Sequence, residues 1–478
     1  MSEISVPTVR DISFFTTYRC NSRCLNCCIW REESKPESKA EIDETQLGRL
    51  FDDPLFQRCT GIGLAGGEPT ISPFFWKLLE MLPADKQVTV TTNALSSRRL
   101  ITFLENCKHP EKYMIQVSVD GLAAVHDRIR GIEGSFEKAI HLLESLKLLR
   151  INRLLSFTIN RLNYFQLRAC YDLARELGAR FSTRMAYCGG AYDNRENRDV
   201  FAYHPDELCA IDESLKKIIR GELENPEHSP AQLVFLNGIT GYFKKERKAL
   251  PCLAMETGLV IDPYGDVFPN CPAMMTSIGS LRNESLSTIW SGKEASMARQ
   301  RISAHRCGGC WNDCQVVTNI QYQHDFLETQ YLELKLDWLK DKPISDAIDF
   351  GGGHVEYLLE GWYDLERDGT FFYRWTAPRF SFLIPEGTRE IEMFALVPDG
   401  GDEKIIMAAQ LVLNHQRAEY ELIGVAGWQK YRIDFPIPVN NMAKCQLRLN
   451  RYYCPYEKGD GADRRKLGMA VNYIRFVK

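Results

Sequence analysis

From residue 10 to about residue 220 the apolar positions follow two alternating rhythms. Short β-rich runs occur at residues 10–18, 61–65, 87–92, 114–119, 153–159 and 180–186. Stretches with helical spacing come between and after them, at 42–56, 73–82, 98–106, 135–149 and 164–177, and again near 205–220 and 231–248. Strand–helix alternation at this pitch predicts a parallel sheet with right-handed crossovers. Six units fall short of the eight that close a TIM barrel. The expected fold is therefore α/β, a partial (β/α)6 barrel with its chemistry at the C-terminal ends of the strands.

Residues 251–315 break this rhythm with cysteine, glycine, proline and short strands, and 319–339 read as one polar helix. Residues 342–353 look like a linker ending in three glycines. Beyond it, short alternating runs at 370–375, 390–397, 405–413, 431–435, 445–450 and 470–477 predict an all-β sandwich. The expected domains are a partial barrel at 1–250, a small cysteine-rich α+β domain with a helix at 251–342, and the sandwich at 354–478.

A length of 478 residues suits two or three domains. The 44% hydrophobic and 26% charged residues describe a soluble globular chain. A net charge of −4 gives no case for nucleic-acid binding. No apolar run reaches membrane-spanning length, and the first residues lack a signal-peptide core, so the expected location is cytoplasmic. The sixteen cysteines change the picture, because four lie between 20 and 28 and five between 252 and 314.

Cys20, Cys24 and Cys27 stand at CxxxCxxC spacing on a loop after the first strand. Three such thiolates can hold three irons of a [4Fe–4S] cluster and leave the fourth iron open. Zinc, which prefers CxxC pairs and four closing ligands, is the alternative. Cys28 is a poor fourth ligand, since adjacent side chains point apart. Gly66-Gly67-Glu68-Pro69 follows the second strand, where two glycines permit close backbone approach to a ligand or simply make a strand-to-helix turn. Thr91-Thr92-Asn93, Ser118-Val119-Asp120-Gly121 and Asn160 end the third, fourth and fifth strands. In the second cysteine group, Cys252 and Cys271 flank a hairpin that turns at Gly265, and Cys307, Cys310 and Cys314 follow. Four of these thiolates together would close around a second cluster or a zinc ion.

The cysteine loop, Gly66–Pro69, and Ser118–Gly121 with His126-Asp127-Arg128-Ile129-Arg130-Gly131 together resemble the radical S-adenosylmethionine (radical SAM) superfamily over about residues 10–250. The resemblance implies that Cys20, Cys24 and Cys27 hold a catalytic [4Fe–4S] cluster whose open iron chelates SAM. Gly66, Gly67 and Glu68 would bind the methionine amino group. Ser118, Asn160 and Arg130 would meet its carboxylate and ribose. An electron donor such as flavodoxin or ferredoxin would drive SAM cleavage to a 5′-deoxyadenosyl radical that takes hydrogen from substrate. Asn26 stands where the family often has an aromatic residue near adenine, and Trp30 is the candidate replacement. The second group is similar to the SPASM extension and its shorter form, twitch. Five cysteines are fewer than the seven of full SPASM, which implies one auxiliary [4Fe–4S] cluster on Cys252, Cys271, Cys307 and Cys310. Cys314 is a spare or replaces one of them.

The twitch layout resembles dehydrogenases of aminocyclitols. Segments around Trp362, Tyr373 to Trp375 and 463–471 resemble β-sandwich tails of glycosyltransferases and methyltransferases from surface-polysaccharide clusters. The expected substrate is therefore a small molecule or glycan, a sugar nucleotide or glycan intermediate that is dehydrogenated or epimerised. Cys188, just past the sixth strand, is the candidate hydrogen donor for epimerisation, a buried structural cysteine being the default. The alternative is a peptide-modifying maturase. It ranks second because only nineteen residues precede Cys20, too few for a peptide-recognition domain. A non-catalytic iron–sulfur carrier would not need the SAM motifs.

Overall fold

The computed structural model describes residues 9–31, 40–186, 195–225, 228–245, 250–271, 276–304, 310–342, 345–350, 355–368, 371–397, 405–413, 416–424, 427–435, 438–449, 454–455, 463 and 465–478. Two compact units result, one from residues 1–220 and 229–327, the other from 221–228 and 328–478.

The first unit is built on strands β1 (Asp11–Phe15), β2 (Gly61–Ala65), β3 (Gln87–Thr92), β4 (Tyr113–Ser118), β5 (Asn152–Ile159), β6 (Arg180–Met185), β7 (Gly258–Ile261), β8 (Asp266–Pro269) and β9 (Gly279–Ser280). They form one sheet in the order β6-β5-β4-β3-β2-β1-β7-β8-β9. The six expected strands pair in parallel, as a partial barrel requires. β7 also joins β1 in parallel, with Asp11 opposite Gly258, and β8 and β9 then turn back antiparallel. The cysteine-rich hairpin thus continues the barrel sheet.

Period-two alternation gives that sheet two faces. Ile12, Phe14, Leu64, Val88, Val90, Ile115, Val117, Leu155 and Phe157 are buried residues on one face. Ser13, Phe15, Ala65, Thr91, Gln116, Ser118, Ser156, Thr158 and Arg184 occupy the alternate positions and line the cavity described below.

The helices are α1 (Glu44–Asp52), α2 (Pro54–Arg58), α3 (Pro73–Met81), α4 (Arg98–Glu105), α5 (Ala123–Arg130), α6 (Ser135–Leu148), α7 (Leu167–Glu176), α8 (Pro205–Leu223), α9 (Pro230–Phe243), α10 (Leu286–Ser291), α11 (Lys293–Ser303), α12 (Asp313–Tyr322) and α13 (His324–Leu339). Two expectations change. The stretch 42–56 is not one helix, because Pro54 forces Asp53 into an extended conformation and starts a new helix. The stretch 319–339 is split at Gln323, between α12 and α13. α5 escaped prediction, since its eight residues bury only His126 and Ile129.

The second unit contains a β-sandwich of antiparallel strands. Its strands are β10 (Ala347–Asp349), β11 (Trp362–Asp368), β12 (Phe371–Thr376), β13 (Arg379–Ile384), β14 (Glu390–Val397), β15 (Ile405–Leu413), β16 (Gln416–Gly424), β17 (Gly427–Asp434), β18 (Ala443–Leu449) and β19 (Ala470–Val477). One sheet runs β11-β12-β19-β14-β17, with β10 also on β19, and the other β13-β18-β15-β16. The expected linker at 342–353 therefore contains a strand. Trp362, a motif residue of the sandwich resemblance, donates its indole N–H to Ser381 O at 2.8 Å and packs edge-on against Phe380 at 5.1 Å. Those contacts anchor it to the sandwich interior.

Asp53, only 5% exposed, does two jobs. Oδ1 accepts from Leu55 N at 2.9 Å, capping α2, and Oδ2 accepts from Ser287 N at 3.0 Å in α10. Replacing Asp53 with Ala removes the cap and the tie together. The expected loss is about 2 kcal/mol, read as a lower urea midpoint with an unchanged slope.

Candidate active site

The cysteine loop is positioned by backbone hydrogen bonds from two sides. On one side, Gly67 N donates to Thr17 O at 2.7 Å and Glu68 N to Arg19 O at 2.9 Å. A Cβ on Gly67 would lie 2.0 Å from Arg19 O, and one on Gly66, at φ +120°, would lie 2.6 Å from Thr17 O. The two glycines are thus required by the approach of the cysteine loop itself. On the other side, Arg23 N donates to Arg130 O and Leu25 N to Ile129 O, each at 2.9 Å. The C-terminal carbonyls of α5 hold the loop in this way, and Gly131 ends that helix in the left-handed region at φ +70°. Trp30 closes the loop on itself, its indole N–H reaching Cys27 O at 2.8 Å and Cys24 O at 3.3 Å.

Cys20, Cys24 and Cys27 line one cavity of about 330 Å³, together with Asn26, Trp30, Gly66, Gly67, Glu68, Ser118 and Arg130. Asn160 does not reach it. Its Oδ1 accepts from Leu162 N at 2.8 Å and its backbone N donates to Asn163 Oδ1, so it builds the turn after β5. The sequence placed a polar residue at the end of β5, but the cavity takes Ser156 and Thr158 from within that strand. Gln116, Arg184, Asn270 and Asn312 were also missed. The signal for the strand residues was their shared parity with Ser118 and Ala65, on the face opposite the apolar stripe. Cys271 lines the same cavity, whereas Cys252 and Cys310 are described but are not among its lining residues. Cys188 and Cys307 lie outside the described residues, as does the side chain of Cys314.

Glu68 is the buried anion of the site, 1% exposed. Oε1 accepts from Thr70 N at 3.2 Å, Thr70 Oγ1 at 2.6 Å and Thr92 Oγ1 at 2.7 Å, and Oε2 from Asn93 N at 2.7 Å. Burial pushes its carboxyl up, and these donors pull against that shift without cancelling it. No basic side chain pairs with it among the described residues, and a carboxylate has about four acceptor positions. With three donors on Oε1 and one on Oε2, room for a further donor remains on Oε2. Burial likewise raises the thiols of Cys20 to about 11 and Cys27 to about 12. Both are neutral at pH 7 without a cation, so metal binding there must displace protons.

Arg130 stands beside these thiols, its NH1 donating to Cys24 Sγ at 3.7 Å and its NH2 2.9 Å from Asp120 Oδ2. Burial alone would lower its affinity for a proton, but the Asp120 carboxylate offsets that and keeps it charged. His126, from the same helix, accepts at Nδ1 from Asp120 N at 3.1 Å, which requires a neutral ring. Burial, followed by the Arg130 charge, lowers it to about 3.

Residues 14–165 match the radical SAM superfamily model, and residues 252–315 match SPASM, described as an iron–sulfur cluster-binding domain. The chain therefore carries a radical SAM domain followed by a SPASM domain, and it is a radical SAM enzyme. Among curated relatives, the pre-heme d1 synthase of Dinoroseobacter shibae is 25% identical over 321 residues, 62% of this chain and 77% of that protein. The mycofactocin maturase MftC of Mycobacterium tuberculosis is 28% identical over 309 residues, 62% of this chain and 73% of that protein. Among solved structures, anSMEcpe with bound AdoMet is 15% identical with a TM-score of 0.48, covering 71% of this chain and 97% of that one.

A radical SAM domain implies a [4Fe–4S] cluster and SAM, and a SPASM domain implies auxiliary iron–sulfur clusters. The residues present fit the first pair. Three thiols share one cavity wall, a buried carboxylate keeps an acceptor position open, and a fixed guanidinium adjoins the thiols. Among the described residues no three His, Cys, Asp or Glu side chains close on a single metal ion. A four-iron cluster takes each thiolate on a different iron, so its ligands stand farther apart than those of a mononuclear ion. No described helix is long and apolar enough to cross a membrane.

Two outcomes follow from the local geometry. Gly67→Ala pushes the cysteine loop off the β2 turn, so the reconstituted variant should lose iron while its far-UV circular dichroism stays near wild type. For His126 the folded state has the lower pKa, so its contribution is complete above pH 6.5 and is lost as pH falls towards 3. Between pH 6.5 and 5 this costs about 1.4 kcal/mol per pH unit. His126→Asn keeps an acceptor for Asp120 N and should flatten that part of the urea-stability profile.

Proposed function

We propose that this enzyme abstracts hydrogen from a peptide, modifying it covalently. The observation that carries the reading is the character of the cavity wall apart from its cysteines. Gln116, Ser156, Thr158, Asn270 and Asn312 present neutral amides and hydroxyls there. Such groups both donate and accept, as a peptide backbone does. Sugar nucleotides and tetrapyrroles carry phosphates or carboxylates that call for basic partners. Beyond Arg130, the one basic residue in the described wall is Arg184, and its NH2 is already 2.9 Å from Asp313 Oδ2. The relative named as a mycofactocin maturase supports the peptide reading, while the pre-heme d1 synthase is the relative whose name points elsewhere. The carbohydrate reading draws no support from these relatives.

In this reading Cys20, Cys24 and Cys27 hold the cluster, Glu68 Oε2 receives the methionine ammonium, and Ser118 and Arg130 meet the carboxylate and ribose. Bound SAM supplies a 5′-deoxyadenosyl radical on one-electron reduction by a flavodoxin- or ferredoxin-class donor. Trp30 and Asn26 flank the adenine side. The neutral wall orients the peptide so that one of its C–H bonds faces the radical, and the surrounding side chains exclude water from it. Cys252, Cys271, Cys307 and Cys310, with Cys314 as the substitute, hold one auxiliary cluster that can take up the second electron of an oxidation.

Anaerobic reconstitution should yield about eight irons per chain, on the logic of two four-iron sites. Reduction with SAM should then release 5′-deoxyadenosine, and Cys20→Ala should abolish it. A synthetic peptide library should raise that release above the substrate-free rate, with UDP-sugars and coproporphyrin III leaving it unchanged. Stimulation by either small molecule and by no peptide would overturn the assignment.

A further inference from the structure

We propose that Arg130, besides its contact with SAM, sets the electron affinity of the cluster through the sulfur of Cys24, and that Asp120 controls how much of its charge reaches that sulfur. The inference rests on the assignment of Cys20, Cys24 and Cys27 as cluster ligands. Hydrogen bonds and positive charge at a ligand sulfur favour the reduced cluster, because reduction adds negative charge.

The geometry is specific to one thiolate of the three. Arg130 NH1 donates to Cys24 Sγ at 3.7 Å. Ser22 Oγ also lies 3.2 Å from that sulfur, but it donates to Arg130 O at 2.9 Å. A hydroxyl has one proton to give, so against a thiolate at Cys24 the donor is Arg130. Among the described residues, the donors to Cys20 are neutral, Ser22 N at 3.4 Å and Asn93 Nδ2 at 3.8 Å. The main chain of Arg130 holds the loop and its side chain charges it, so sulfur and guanidinium cannot drift apart independently.

Asp120 is the counterweight. It is fully buried, its Oδ2 lies 2.9 Å from Arg130 NH2 and its Oδ1 accepts from Thr158 N at 2.8 Å. Arg130 Nε has no hydrogen-bond partner among the described residues. The guanidinium therefore stands between one anion from the protein and one from the cluster. Removing either neighbour's charge changes what the other feels.

The test is an EPR-monitored redox titration of the reconstituted full chain, following the reduced signal that changes when SAM is added, with iron content measured in parallel. Arg130→Gln should make reduction about tenfold less favourable, about 59 mV for a one-electron couple. Arg130→Lys, which keeps the charge, should recover most of that shift. Asp120→Asn should move the potential the opposite way, because the guanidinium is then uncompensated. A merely loosened loop would shift both sites in the same direction. Shifts of one sign, or unshifted potentials in iron-replete variants, overturn the inference and leave the cluster assignment standing. A wild-type chain with no SAM-sensitive signal overturns the assignment itself, and the inference with it. Should Arg130→Gln lose its iron, the Asp120→Asn and Arg130→Lys results decide.

Discussion

The chemistry of this chain depends on how closely two strand-end loops approach. Two backbone N–H groups, on Gly67 and Glu68, donate to carbonyls of the cysteine loop, at a separation that leaves no space for a Cβ. That contact fixes the thiol-bearing loop relative to β2, and Glu68, next along the chain, turns inward with its carboxylate saturated on one oxygen. The far side of the loop is held by the last carbonyls of α5. Three thiols, a carboxylate and a guanidinium are thus aimed at one cavity by main-chain geometry, and side-chain packing is secondary.

Much of the barrel was legible because its strands are short, apolar on alternate positions and bounded by turn residues. β2 and β3 fall where the pattern put them. Helix ends were less so. Pro54 was visible in the sequence, but the apolar spacing ran through it, and only the extended Asp53 shows that a cap had replaced a helical turn. In the sandwich, β10, β11, β13 and β16 fall outside the alternating runs. β11 is charged and irregular in register, and β13 follows β12 after only Ala377 and Pro378, too short a break for the alternating pattern to resolve two strands.

At the site, the motif residues Cys20, Cys24, Cys27, Gly66, Gly67, Glu68, Ser118 and Arg130 line one cavity. What the motifs concealed was division of labour. The glycines serve the cysteine loop, His126 and Asp127 build α5 and its exit, and Asn160 builds a turn. Mid-strand residues carry no motif of their own, although the cavity extends down the sheet to Gln116 and Ser156. Those neutral groups leave little basic wall for a phosphate or carboxylate. The aromatic signature of the sandwich that first suggested sugars, at Trp362, belongs to packing.

The pairing of β1 with β7 has a consequence for the order in which the molecule is made. β1 lies inside the sheet, and its second neighbour begins at Gly258, almost 250 residues later in the chain. During synthesis the first strand therefore waits with one edge unpaired while the rest of the barrel is completed, at roughly 5–20 residues per second. The cysteine loop leaves from that strand. The sheet on the far side of that strand is complete only once the cysteine-rich hairpin has docked, so the topology ties the two cysteine groups together at a late stage of synthesis.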